Sequence, residues 1–372
     1  MTTAKLLFFG IFLLLFGAIH YLSYTRVAAR MHISAASKAW LKIFLILNYL
    51  SNIGYIAARY ITDVPKSLYA LLSVSIGICF ILLLALILYE ILHLLQRIVP
   101  LNDERRHFFK RVSDAGFLAS GAAMAGTGIY EGSKLPLIKR IEVKQNRFGG
   151  RSFRIVQISD MHIGGLIERE FVKTAVEMIN GLQPDLVAVT GDLTDLPIKR
   201  IEGAVAELAD IKSRYGTFYV PGNHEYFHGV EETMEFIESL GITVLRNEAR
   251  HIGAFWIAGV YDLFGFRYGR YVPDIKAAVS KIPQGAPTLL LAHQPRFVEF
   301  LEDFTPSLML SGHTHGGQIW PFGYLVRLQQ PFLKGLHRLG EESHIYVNSG
   351  IGFWGPPMRL GTTAEITLIE WI

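Results

Sequence analysis

The chain has 372 residues, of which 51% are hydrophobic, a mean hydropathy of +0.30 and a formal net charge of +4 at pH 7. That hydropathy is high for a wholly soluble chain, so the apolar residues must be unevenly spread, and so small a net charge argues against a basic stripe tracking nucleic acid. The single cysteine, Cys79, excludes a disulfide within the chain.

In chain order, three long apolar stretches come first: Leu6 to Tyr24, Leu41 to Ile61 and Leu68 to Leu95. Each reaches the roughly 20 residues that a helix needs to cross the hydrocarbon layer. Lys42, Asn48 and Asn52 interrupt the second, and Glu90 and His93 lie near the end of the third. The run "ICFILLLALILYEILHLL" offers no polar face to water, which marks a lipid-facing or fully buried helix. A fourth stretch, Val112 to Tyr130, is rich in Ala and Gly and carries Asp114. "ERRHFFKR", Glu104 to Arg111, stands directly before it. This pairing resembles a twin-arginine export signal, which implies contact with that export machinery.

Charge in the connections gives an independent reading of orientation. Arg26, Arg30, Lys38 and Lys42 lie around the first connection, and Arg59, Lys66 and Asp63 around the second. Arg97, Arg105, Arg106, Lys110 and Arg111 follow the third stretch. Positive residues concentrate on the cytoplasmic side, so the first and third connections are expected inside and the amino terminus outside. If the fourth stretch crosses, everything after it is extracytoplasmic. Residues 1–132 are thus expected to form a multi-pass membrane domain of about four helices, with the arginine-rich signal at 104–111. Residues 133–150 are expected to be a connection or a first edge strand, and 151–372 a separate domain.

From Arg151 short β-branched runs alternate with helical patterns, which indicates an α/β domain. "FRIVQISD", "DLVAVTGD", "TFYVPGNHE", "FWIAGVYD", "TLLLAHQP", "LMLSGHTH", "IYVNSG" and "EITLIEWI" read as strands. Glu168 to Asn180, Ile201 to Ser213 and Val230 to Leu240 read as helices. Polar residues gather just past the strand ends, where open α/β sheets bind ligands. They are Asp160 and His162 in "DMH", Asp192 and Asp195 in "GDLTD", Asn223, His224 and Glu225 in "GNHE", His293 in "AHQP", and His313 and His315 in "GHTH". Imidazole and carboxylate donors suit Mn, Fe or Zn better than Mg or Ca. Seven candidate ligands are too many for one tetrahedral ion and about right for two ions that share a ligand, a pair able to clamp a phosphoryl group.

On these motifs, residues 153 to about 350 resemble the calcineurin-like metallophosphoesterases, whose signature runs DxH, GDxxD, GNHE, a lone His and GHxH. "GHTHGGQI" is closest to the membrane-anchored, cell-envelope branch of that family. The resemblance implies a four-layer αββα sandwich and a dinuclear metal centre. Asp160, His162 and His315 would bind one ion, and Asn223, His293 and His313 the other, with Asp192 bridging both. His224 would be the catalytic histidine that assists the leaving group, and a metal-bridging hydroxide the nucleophile. The implied activity is hydrolysis of a phosphomonoester or phosphodiester, with a lipid-linked envelope compound as the expected substrate. Loss of a ligand would instead point to a non-catalytic scaffold, and none is lost.

Other polar residues fall outside that scheme. Asp195 and Glu225 are expected to orient ligands rather than touch metal. Asn348 fits either a reach toward the site or a turn. Ser311 lacks the elbow and base of a serine nucleophile, and His228, His251 and His344 belong to no motif. Asp262 to Pro273 and Trp320 to Gly340 interleave large apolar residues with arginines, as loops packed over the domain or as an interfacial surface.

Overall fold

The computed structural model describes residues 3–372 except 60, 62–63, 99–101, 146–147 and 149; Asp63, used above in the charge reading, lies outside the described residues. The chain divides into two compact units, residues 1–133 with 355–358, and residues 134–354 with 359–372.

The first unit is helical: α1 (Thr3–Leu22), α2 (Ala35–Ala58), α3 (Lys66–Ile98) and α4 (Asp103–Gly132). Among the described residues three helical segments are long and apolar enough to cross a membrane: Phe9–Arg30, Ala35–Ala58 and Lys66–Gln96. The expected fourth span falls inside α4, which is helical throughout but too rich in Ala, Gly and charged residues to meet the same criterion. Asn102 caps α4 by accepting a bond from the Arg105 backbone N–H. Arg105 and Arg106 therefore lie in the first turn of a helix, and the Arg106 guanidinium donates to the Gln96 carbonyl. Four residues beyond Lys110, the Asp114 carboxylate is buried, where it accepts bonds from the Tyr89 hydroxyl and the His32 backbone N–H. Those bonds tie α4 to α3 and to the segment after α1.

The second unit consists of two stacked six-stranded sheets. Its strands are β1 (Leu137–Val143), β2 (Phe153–Ile158), β3 (Leu186–Val189), β4 (Thr217–Tyr219), β5 (Thr243–Val244), β6 (Glu248–Ile252), β7 (Phe255–Gly259), β8 (Thr288–Leu291), β9 (Leu308–Ser311), β10 (Gly335–Gly340), β11 (Ser343–Val347) and β12 (Glu365–Trp371). One sheet runs β1-β12-β2-β3-β4-β5 and the other β10-β11-β9-β8-β7-β6. Pairing is parallel except at β12–β2, β10–β11 and β6–β7. The segment read as a connection or edge strand is thus the edge strand β1, in register with the carboxy-terminal β12.

Strand periodicity explains the layers. Ile155, Leu186 and Ala188 point into an inter-sheet core with Leu289, Leu310 and Trp371. Their neighbours Val156, Val187 and Val189 point the other way, onto Val172, Val176 and Ile179 of α5 (Arg169–Gly181). Leu290 and Met309 of the second sheet face outward onto Ile275, Ala278 and Phe297. Helix, sheet, sheet and helix stack as the expected αββα sandwich. The predicted helix at 201–213 is instead a short α6 (Glu202–Val205) followed by a 3-10 turn, Ala206–Asp210, because Gly203 and Asp210 give a helix little support. The next helices are α7 (Asn223–His228) and α8 (Val230–Ser239). Shorter turns of helix follow: α9 (Gly265–Tyr268), α10 (Ile275–Val279) and α11 (Gly323–Val326).

Candidate metal centre

Each cluster read from the sequence sits at the carboxy end of a strand, and the tertiary fold brings them together. Asp160 and His162 follow β2, Asp192 and Asp195 follow β3, and Asn223 and His224 open α7 just past β4. His293 follows β8, and His313 and His315 follow β9. The two sheets therefore each contribute one side of a cleft.

Ligand atoms of Asp160, His162 and His315 lie within 4.8 Å of one another, as do those of Asp192, His293 and His313, and each trio can hold a metal ion. The first trio contains two imidazole Nε2 atoms only 3.0 Å apart, those of His162 and His315, both buried. Buried nitrogens aimed at each other want a shared cation, and His315 Nδ1 is buried without a partner. In the second trio the His293 ring donates from Nδ1 to the Thr190 carbonyl at 2.8 Å, which leaves Nε2 facing Asp192 Oδ2 at 3.3 Å. Asn223 Oδ1 is 3.2 Å from the same Nε2. His293 Nε2 also lies 3.2 Å from His313 Nδ1, so the donor set is N and O, as a transition metal requires. The residues fit the group that the sequence implies.

A third trio, His162, Asp195 and His224, also meets the distance criterion. There Asp195 Oδ1 accepts from both Nδ1 atoms, at 2.8 Å from His162 and 2.6 Å from His224. That carboxylate fixes two ring orientations and turns both Nε2 atoms toward Asp192 Oδ2, each at 3.9 Å. The His224 backbone N–H also donates to Asp192 Oδ1 at 2.8 Å.

Electrostatics follow from burial and proximity. Burial raises the Asp160 carboxyl, while for Asp192 burial acts upward but the His293 and His224 charges outweigh it and hold it well below the usual range. Burial alone would lower His224, yet Asp192 and Asp195 raise it to about 9. Burial and the neighbouring His293 lower His313 to about 3, and burial with His162 lowers His315, so both imidazoles keep the free lone pair a metal needs. Burial acts to lower His293, but the neighbouring carboxylates, Asp192 foremost, outweigh it and raise it well above the usual imidazole range.

The backbone is bent to serve this geometry. Asp160, His162, Asp192, His313 and His315 all have φ between 49° and 71°, in the left-handed region that non-glycine residues avoid. Glycines supply the close approach. A Cβ on Gly312 would lie 1.8 Å from Ser159 Oγ and 2.2 Å from Asp160 Oδ2.

Several expectations resolve plainly. Asn348 forms a turn, with Oδ1 accepting from the Gly350 N–H and Nδ2 donating to Thr367, and does not line the cleft. The Ser311 hydroxyl donates to the Ala292 carbonyl. His251 packs on Trp256, away from the site. Sequence reading missed Arg359. It is fully buried and donates to the carbonyls of Ser349, Gly350 and Gly352, bracing the loop against Asp160 and His315. A lone arginine between prolines and a glycine carried no motif that could have flagged it.

Gly312→Ala should fold but lose metal, because its methyl group must displace the Asp160 carboxylate. Metal content of the purified variant, by elemental analysis beside circular dichroism, checks this; wild-type metal content would show that the loop yields instead.

Similarity to known proteins accords with this geometry. Residues 153–317 match the family model of the calcineurin-like phosphoesterases. An uncharacterized metallophosphoesterase of Helicobacter pylori is 36% identical over 362 residues, covering 96% of each chain. One from Campylobacter jejuni is 31% identical over 98% of each chain. A Danio rerio transmembrane protein with a metallophosphoesterase domain is 32% identical over 92% of this chain and 82% of its own. With its strand-end carboxylates and imidazoles convergent in one cleft, and with full-length relatives of this kind, the chain belongs to the calcineurin-like metallophosphoesterase family.

Proposed function

We propose that this chain is a membrane-anchored phosphoester hydrolase that uses two metal ions. The observation that carries the reading is the pair of ligand trios with Asp192 among them and His224 alongside; His162, Asp192, His224, His313 and His315 open on one cleft of about 480 Å³, with Asp160 and His293 buried behind them. Asp160, His162 and His315 would hold one ion, Asn223, His293 and His313 the other, and Asp192 both. When bound, such a pair activates water and neutralises charge on the phosphoryl group.

The chain's own residues supply the rest. His224 Nδ1 is held by Asp195, so Nε2 is the atom directed toward the reacting phosphoryl group. With its proton retained by Asp192 and Asp195, His224 donates to the departing oxygen. Glu225 accepts from the backbone N–H groups of Asp192, Leu193, Thr194 and Gly222, which keeps the bridging carboxylate and His224 in one rigid frame. Gln318 lines the cleft as a neutral group whose amide is bound at both ends to the Trp354 backbone, which fixes that aromatic beside His224. Manganese, iron and zinc all suit this donor set.

For topology we adopt the extracytoplasmic reading, in which α4 crosses after its arginine pair and the twin-arginine route carries the domain outward to a cell-envelope substrate. A second reading, favoured by α4 falling short of the composition of a span, keeps the chemistry and places the domain in the cytoplasm.

Asp192→Asn removes the charge shared by two cations, so metal content should fall from two ions per chain and turnover should collapse by about 10³-fold or more. Retention of both ions with near-normal phosphatase activity would sink the dinuclear reading.

His224→Ala should retain its metals and slow alkyl phosphoesters about 10²–10⁴-fold, while nitrophenyl esters, whose leaving group needs no proton, should suffer far less. Equal losses on both substrates would make His224 structural.

Protease added to intact spheroplasts should degrade the domain 134–372. Protection until the membrane is permeabilised would establish the cytoplasmic arrangement.

A further inference from the structure

The cleft has two kinds of wall. On one side stand the imidazoles and carboxylates; on the other stand Phe322, Leu325 and Val326 of the α11 segment, with Trp354 opposite. These apolar side chains are not packed away: Phe322 is 39% exposed, Leu325 55% and Trp354 48%. Two aromatics flank His224 directly. The Phe227 ring centroid is 5.6 Å away and that of Trp354 is 6.1 Å away, both edge-on, and Phe227 is itself 56% exposed. Contiguous exposed apolar surface at a cleft is a binding feature rather than ordinary scatter.

What the cleft lacks narrows its ligand. Among the described residues, and apart from the metal-facing histidines and Asp192, its lining carries no charged side chain; its other polar groups are the amides of Gln318, Gln329 and Gln330, the Thr314 hydroxyl and Asn223. Arg327 and Lys334 line a separate neighbouring pocket that shares only Gly317 with it, so the cleft itself offers little to a second phosphate or a carboxylate. The wall leading away from His224 is aliphatic at Leu325 and Val326, which suits a hydrocarbon chain better than a stacked base. Among the described residues three helical segments of the same chain are long and apolar enough to cross a bilayer, which accords with a lipid-borne compound as substrate.

We propose that the substrate is amphiphilic, a phosphoester whose esterifying group carries a hydrocarbon chain. The phosphoryl group would sit at the ligand trios and the chain would run between Trp354 and the Phe322–Leu325–Val326 wall. This inference rests on the phosphoester-hydrolase reading above and assigns its substrate class. The Gln318 and Gln330 amides are bound within the protein and shape the polar floor of the cleft, and the exposed apolar wall supplies binding energy only to substrates with a tail.

The test uses the full chain in detergent, loaded with manganese, and a series of p-nitrophenyl alkyl phosphates from methyl to octyl, each below its micellar concentration. Each methylene that enters the groove should raise kcat/KM about fourfold, so the octyl ester should exceed the methyl ester by roughly a hundredfold or more, with a plateau where the chain leaves the groove. Leu325→Asn should reduce the octyl-to-methyl ratio about tenfold or more, whereas Phe266→Asn, 55% exposed but outside the cleft lining, should leave that ratio as in the wild type. Hydrolysis of every ester at similar rates would overturn the amphiphile assignment and leave the hydrolase reading standing. Faster hydrolysis of p-nitrophenyl thymidine phosphate than of the octyl ester would also overturn it, in favour of a nucleotide. No hydrolysis of any ester by metal-loaded protein would overturn the hydrolase reading itself.

Discussion

One carboxylate holds the catalytic end of this domain together. Glu225, fully buried, accepts from four backbone N–H groups, three in the loop after β3 and one in the loop after β4. Loops at strand ends have no ladder to satisfy their donors, and a buried donor left unpaired costs about 1–3 kcal/mol. Glu225 meets that demand for two loops at once, and those loops carry Asp192, Asn223 and His224. Burial, with the nearby Asp192 charge, raises Glu225 to about 7, which the four N–H groups resist by favouring the anion. The carboxylate that frames the site is therefore itself under electrostatic tension.

A second tension lies in the backbone. Five candidate ligands occupy left-handed conformations, at a cost on the order of 1–3 kcal/mol each. Such strain persists only where the surroundings over-determine it. Here the surroundings are specific: the His313 N–H donates to both Asp160 oxygens, the His162 N–H to the Asp192 carbonyl, and the Asp160 N–H to the Gly191 carbonyl. Bent in this way, each loop turns its side chain back over the sheet edge toward a common point. Gly312 and Gly222 then admit backbone where a methyl group would collide with Asp160 or Asp192. Strain, glycine placement and the buried Arg359 brace serve one end, a ligand set held ready for cations.

Charge and apolarity divide the cleft in the same spirit. Among the described residues the ionisable groups of the cleft lie on the side of the candidate ligands, and the Phe322–Leu325–Val326 wall is largely apolar, with Phe322 and Leu325 exposed. Such a division would suit the amphiphilic substrate proposed above, with a phosphate at one end and hydrocarbon at the other. In the helical unit, charged groups are paired in a comparable way at Asp114, buried against Tyr89, His32 and Lys110, and at Arg30 on Glu90.

Much of this was legible in the sequence because its signals are local. Long apolar helices reveal themselves by length and uniform apolarity, strands by alternation at Ile155–Val156 or Leu186–Val187, and candidate ligands by short motifs fixed to strand ends. The residues that converge in the cleft could be named from their motifs and strand-end positions because each motif carries its own turn geometry. Tertiary structure decided what depends on distant partners. Leu137–Val143 became an edge strand only through its register with the carboxy-terminal strand, since its own charged sequence is neutral on the point. Asn348 became a turn residue, and Arg359 a brace, through bonds to carbonyls that no local pattern announces. The apolar wall at Phe322 and Leu325 reads in sequence as an ordinary loop. Only the fold sets it across a cleft from His224, because proximity between residues some hundred positions apart is a property of packing, not of spacing.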